Sequence, residues 1–148
     1  MARVIPLLIS LALSAVPPVP GPVARHFVAP ACQRCAGHRG ITIDNSDGVP
    51  AVSPVSGTVT FAGSVAHQIY VVIESSPGVL VTVGRLALVA VREGDHLAQG
   101  QIIGVSGATT YLGVRVRGVY VEPLRFLGFS RARLVGRGAV VGLRAYSR

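Results

Sequence analysis

The chain has 148 residues, half of them hydrophobic, and carries 14 basic against 6 acidic side chains for a formal net charge of +8. That length suits one domain with tails, the apolar share argues against disorder through the middle, and the positive charge favours anionic partners. Every basic residue is arginine, a bias expected of a GC-rich genome; without lysine, Schiff-base catalysis and biotinyl or lipoyl carriage are excluded.

In chain order, Arg3 followed by the apolar stretch 4–15 has the form of a secretory signal. The stretch falls short of the roughly 20 residues that a spanning helix needs. Pro6 and the proline-rich run 16–22 oppose such a helix further. Cleavage after Ala15 or Ala24 would leave an exported protein, extracellular or associated with the cell envelope. Residues 1–24 are thus read as signal and spacer, 25–127 as the folded domain and 128–148 as a basic tail. The segment 25–37 looks irregular and contains the two cysteines of the chain, Cys32 and Cys35. In an exported protein the simplest reading of this C-x-x-C is a short-range disulfide, with free thiols or a metal as the alternatives.

From Ile41 the pattern becomes short runs rich in Val, Ile and Thr, divided by turn signals. The runs are 41–43, 57–63, 69–74, 79–83 and 114–121, the last with Gly118 as its bend. Asp44-Asn45-Ser46-Asp47-Gly48 and Pro77-Gly78 are turns. No amphipathic helix and no internal repeat stands out, so an all-β, antiparallel sandwich or barrel-like domain is expected. Beyond Arg125 come Arg131, Arg133, Arg137, Arg144 and Arg148 among glycines, with 135–143 apolar enough for one more strand. This tail reads as a solvated extension or as a contact for a polyanion or lipid headgroups.

Four segments occur in a telling order. They are Gly37-His38-Arg39-Gly40-Ile41, then Pro54-Val55-Ser56-Gly57-Thr58-Val59, then Glu93-Gly94-Asp95 with Gly100-Gln101-Ile102-Ile103-Gly104, and finally Val114-Arg115-Val116-Arg117-Gly118 with Glu122-Pro123-Leu124. The series resembles the β-sheet core of the LytM/lysostaphin-type zinc metallopeptidases, which act on peptidoglycan, over about 90 residues. That resemblance implies a fold of the duplicated hybrid motif type. The opening Cys-x-x-Cys-Ala-Gly-His-Arg-Gly resembles exported actinobacterial members.

Enzymes of that family bind one zinc through His-x-x-x-Asp and the second His of a late His-x-His, and two further histidines assist. This fits catalytic zinc, which takes three protein ligands and keeps one position open. Carried over residue by residue, His38 matches the first ligand. The Asp position falls on Thr42, with Asp44 two residues on and on the same strand face. The earlier assisting histidine falls near Arg85, and the late His-x-His falls on Thr109 and Tyr111. None of these replacements is an ordinary zinc ligand. The expectation is therefore a catalytically degenerate domain of the cell envelope, with no cofactor, that binds peptidoglycan or another anionic envelope polymer or regulates a wall hydrolase. The alternative is an active zinc endopeptidase with a rearranged site, holding zinc through His38, Asp44 and one further group. Arg115 and Arg117, two residues apart on one strand, are candidates for meeting peptide carboxylates. Phosphate loops, nucleophile elbows and stacking aromatics are lacking, so nucleotide chemistry and nucleic-acid binding are not expected.

Overall fold

The computed structural model describes residues 14–127. Their strands are β1 (Val23–Arg25), β2 (Ile41–Asp44), β3 (Pro50–Val52), β4 (Gly57–Val65), β5 (Gln68–Ser76), β6 (Val79–Val89), β7 (His96–Leu97), β8 (Ile102–Val116) and β9 (Val119–Val121), followed by a 3-10 turn at Pro123–Arg125. They form one sheet in the order β1-β2-β8-β6-β5-β4-β7, with β3 and β9 also paired to β8. Every pairing is antiparallel. The all-β expectation holds. The late strand expected at 114–121 is the end of the 15-residue β8, a turn, and β9.

Alternation explains the core. Val79, Val81 and Val83 of β6 face inward, as do Val71 and Ile73 of β5 and Ile41 and Ile43 of β2, and all are buried. A side chain of this size contributes about 1.5–3 kcal/mol when fully buried. Continued without a break, the alternation on β6 would drive Arg85 into this core. Instead the register shifts between Gly84 and Leu86, Arg85 adopts φ +63, and Leu86 takes the inward place. A bulge of this kind re-aims a side chain at a modest local cost, and here it keeps the guanidinium off the core face.

β8 is the spine, because it pairs with β2, β3, β6 and β9. Its register against β6 slips between Ser106 and Tyr111, where the strand bends. Asn45, just past β2, clamps that bend. Its amide nitrogen donates to the Ser106 hydroxyl at 3.0 Å and the Gly107 carbonyl at 2.7 Å, and its oxygen accepts from Thr110 at 2.9 Å. Ser106 and Thr110 are fully buried, so the clamp satisfies polar groups that water does not reach.

Two sequence expectations differ from the structure. Residues 15–24, expected as spacer, pack on the same core: Ala15 and Val19 are buried, and Val23–Arg25 adds a strand beside β2. Pro18 and Pro22 supply carbonyls to Val52 and Asp44, and Pro54 supplies one to Val16. The segment 25–37 is also less irregular than expected, because Val28 and His38 exchange two backbone hydrogen bonds of 2.9 Å. Residues 1–13 and 128–148 lie outside the described part, and with them the signal stretch, the arginine tail and the strand expected at 135–143.

Candidate functional site

His38 is held from behind. The Val28 bridge fixes its backbone, and its Nδ1 lies 3.0 Å from the His26 carbonyl. A carbonyl only accepts, so Nδ1 carries the proton and donates it. In the neutral ring Nε2 is then an acceptor, and the Thr42 hydroxyl stands 3.3 Å from it and donates. Both side chains are buried, His38 7% and Thr42 5% exposed. A metal-ligating histidine characteristically gives its other N–H to a carbonyl. That orienting bond is present here, while the nitrogen that would face a metal takes a hydroxyl proton over a distance at the long end of the hydrogen-bond range.

The remaining positions converge on the same place. Thr42 pairs with Tyr111 across β2 and β8, and Tyr111 pairs with Gly84 across β8 and β6, so Arg85 comes alongside. Arg85 donates from Nη1 to the Thr109 hydroxyl at 3.3 Å. The Tyr111 ring meets His38 edge-on, with centroids 6.0 Å apart at 81°, and meets Tyr70 at 6.4 Å and 73°. These rings have room because glycines lie beneath them. A Cβ on Gly84 would come within 2.3 Å of the Tyr70 ring, and one on Gly40 within 2.7 Å of the Tyr111 ring. Burial, with Tyr120 and Tyr70 nearby, pushes the Tyr111 hydroxyl up from its ordinary 10.0 to about 12.

Five positions singled out in the sequence, His38, Thr42, Arg85, Thr109 and Tyr111, therefore do form one site. The donor set does not fit zinc. It offers one imidazole whose metal-facing nitrogen is engaged, two threonine hydroxyls, a neutral phenol and a fixed cation, where the ion needs three good ligands. Asp44 does not complete it. Asp44 is exposed at the end of β2, opposite Thr109 on β8 and one side-chain repeat, or roughly 7 Å, beyond Thr42 along the strand. Among the described residues no three His, Cys, Asp or Glu side chains lie close enough to hold a metal ion. His96 is on β7, with four strands between it and β2, and its Nδ1 is 3.0 Å from the Thr58 hydroxyl. His67 is in the exposed turn between β4 and β5.

Arg115 and Arg117 do not share a strand face. Arg115 is in β8, whereas Arg117 has left the strand with φ +50 and forms the turn to β9 with Gly118. Cys32 and Cys35 are joined as a disulfide. The sequence reading missed Arg39, Tyr70 and Tyr120. Tyr70 and Tyr120 are brought in by strand pairing rather than by sequence spacing, but Arg39 directly follows His38 and could have been weighed.

An antiparallel sheet that presents an oriented histidine beside residues of two neighbouring strands is the architecture of a metallopeptidase-type β domain. The profile of peptidase family M23 matches residues 36–123, more than half of the chain, and the chain belongs to that family. No curated protein matches the sequence. Solved structures share the fold. Csd3 of Helicobacter pylori superposes with a TM-score of 0.71 at 18% identity, over 90% of this chain and 42% of that one. A zinc-containing peptidase of Vibrio cholerae superposes at 0.62 with 22% identity, over 74% and 39% respectively. This chain thus spans about two fifths of each of those. A structure of the SpoIIQ–SpoIIIAH complex is also similar, at 0.65 with 23% identity, over 77% of this chain and 100% of that one.

Proposed function

We propose that this chain is a non-catalytic M23 domain of the cell envelope that binds peptidoglycan. One observation carries the reading: the imidazole nitrogen that would face a zinc ion accepts from Thr42, and the other ligand and helper positions hold Tyr111, Thr109 and Arg85. Without a metal-polarised water there is no nucleophile for a peptide bond at this place. The chain keeps the antiparallel sheet of its family, and a fold can retain recognition after its chemistry is gone. The net charge of +8 suits an anionic polymer. The occurrence of the same fold in the SpoIIQ–SpoIIIAH complex supports a further protein partner, and a wall hydrolase is the partner we favour.

The reading of an active endopeptidase through His38 and Asp44 requires a donor group that the strands do not assemble. Sedimentation of the purified chain with isolated sacculi tests the proposal. The chain should pellet with the sacculi at physiological salt and release no soluble wall fragments, with or without added zinc. Failure to pellet, or zinc-dependent release of fragments, would contradict it.

A further inference from the structure

Along β8 the residues on the face of Tyr111 continue through Gly113 to Arg115. There a groove of about 650 Å³ opens, outside the degenerate metal site, between the disulfide loop and the β8–β9 hairpin. Its floor is Tyr120, which pairs with Arg115 across the hairpin. The guanidinium carbons of Arg39 and Arg115 each stand 5.8 Å from the centroid of that one ring. Arg39 is fixed further by donating from Nη2 to the Gln33 carbonyl at 2.6 Å and the Cys35 carbonyl at 3.4 Å, both in the loop that the disulfide closes.

Attraction to the ring brings two like charges to one place, and cation–π contact offsets that repulsion by only about 0.5–2 kcal/mol per pair. Among the described residues these guanidinium groups meet carbonyls and the ring, and no carboxylate. The arrangement is half of a charge-assisted site, rich in N–H donors and short of an anion. Of the remaining walls, Ala29, Pro30 and the exposed Val119 are small and apolar, and Cys32 and Gln33 of the disulfide loop complete the lining. Gly118 leaves the mouth without a side chain. Planar forks suit a planar carboxylate, and walls of this kind suit a short apolar side chain next to it.

We propose that this groove binds the free C-terminal carboxylate of a short peptide, with Arg39 and Arg115 holding the carboxylate and the disulfide positioning Arg39. The wall peptide as the natural source of that end rests on the function proposed above; the carboxylate chemistry does not.

Calorimetric titration of the full chain with trialanine, as free acid and as C-terminal amide, tests this. The acid should bind, and the amide at least about tenfold more weakly, since a hydrogen bond to a charged group is worth one to two decades of affinity. Arg39→Gln and Arg115→Gln should each weaken the acid about tenfold or more, with thermal melting confirming that the variants fold. Arg92→Gln removes the same charge from an exposed turn far along the sheet and should change nothing. The double variant Cys32→Ser/Cys35→Ser should weaken binding severalfold by releasing the carbonyls that hold Arg39. Equal binding of acid and amide, equal loss in Arg92→Gln, or displacement by equimolar inorganic phosphate would overturn the proposal. Trialanine binding without sedimentation on sacculi would leave the groove standing and remove the wall reading. Sedimentation without trialanine binding would do the reverse.

Discussion

His38 is oriented as a ligating imidazole is, with Nδ1 donating to the His26 carbonyl, yet its other nitrogen faces a hydroxyl and a phenol ring. Hydrogen bonds and aromatic packing surround the ring, with the Thr42 hydroxyl on Nε2 and the Tyr111 ring edge-on. Tyr111 gives this a titration signature. Its hydroxyl is pushed up to about 12, while in the unfolded chain it ionises near 10. An acid whose folded value is raised keeps its proton longer when folded. Its contribution to stability is therefore complete below pH 10 and is lost as the pH climbs through 12. Melting temperature should fall between pH 10 and 12, and the fall should be smaller in Tyr111→Phe. No lysine contributes in this window, because the chain has none, and the comparison with Tyr111→Phe separates Tyr111 from the three other tyrosines. Equal slopes in the two proteins would show that Tyr111 is not buried against His38. At this scale the sequence was largely legible. His38, Thr42, Arg85, Thr109 and Tyr111 could each be placed by motif, whereas the His26 carbonyl and the Tyr70 and Tyr120 rings depend on strand pairing that no local spacing encodes.

At the scale of elements, the site depends on where β8 bends. The Asn45 clamp fixes that bend and so sets Thr109 and Tyr111 against β2. Asn45→Ala would leave the buried Thr110 hydroxyl and the Gly107 carbonyl without their partner. Each orphaned group costs about 1–3 kcal/mol, so a loss on the order of 3 kcal/mol is expected in denaturant unfolding. A loss under about 0.5 kcal/mol would show that the bend holds without the clamp. The sequence marked Asn45 only as part of a turn, because turn residues and clamp residues share a composition. The Arg85 bulge was hidden for a related reason. The valine alternation of β6 is legible up to Val83, and a bulge shows in a sequence only as the place where the period fails.

For the molecule as a whole, the main departure from expectation is at the N-terminal side. A proline-rich run reads as a spacer because it cannot form a helix or a central strand. Prolines can still be buried and still accept hydrogen bonds: Pro18 is buried in the core, and the Pro18 and Pro22 carbonyls accept from Val52 and Asp44. A chain beginning at Ser14 should accordingly fold, while one beginning at Arg25 loses Ala15, Pro18 and Val19 from the core and the four backbone hydrogen bonds made by Ala15, Val16, Pro18 and Pro22. Burial of one valine at about 1.5–3 kcal/mol and four hydrogen bonds at about 1 kcal/mol each put the loss on the order of 6 kcal/mol. For a domain of this size that lowers the melting temperature by roughly 15 °C or more. Similar melting of the two chains would return residues 15–24 to the status of a spacer. By contrast the sheet itself, the family and the turn glycines were legible, because the strand runs and the turns between them are written in local composition.

The most direct test of the proposed loss of the metal site is zinc affinity, measured by elemental analysis and titration of the purified chain beside Thr42→Asp/Arg85→His/Tyr111→His. The native chain should hold no stoichiometric zinc and bind none at micromolar concentration, while the triple variant, which returns ligating side chains around an imidazole already oriented by the His26 carbonyl, should take up one ion per chain. One tightly held zinc in the native chain, lost on His38→Ala, would contradict the replacement of the metal site and restore the peptidase reading.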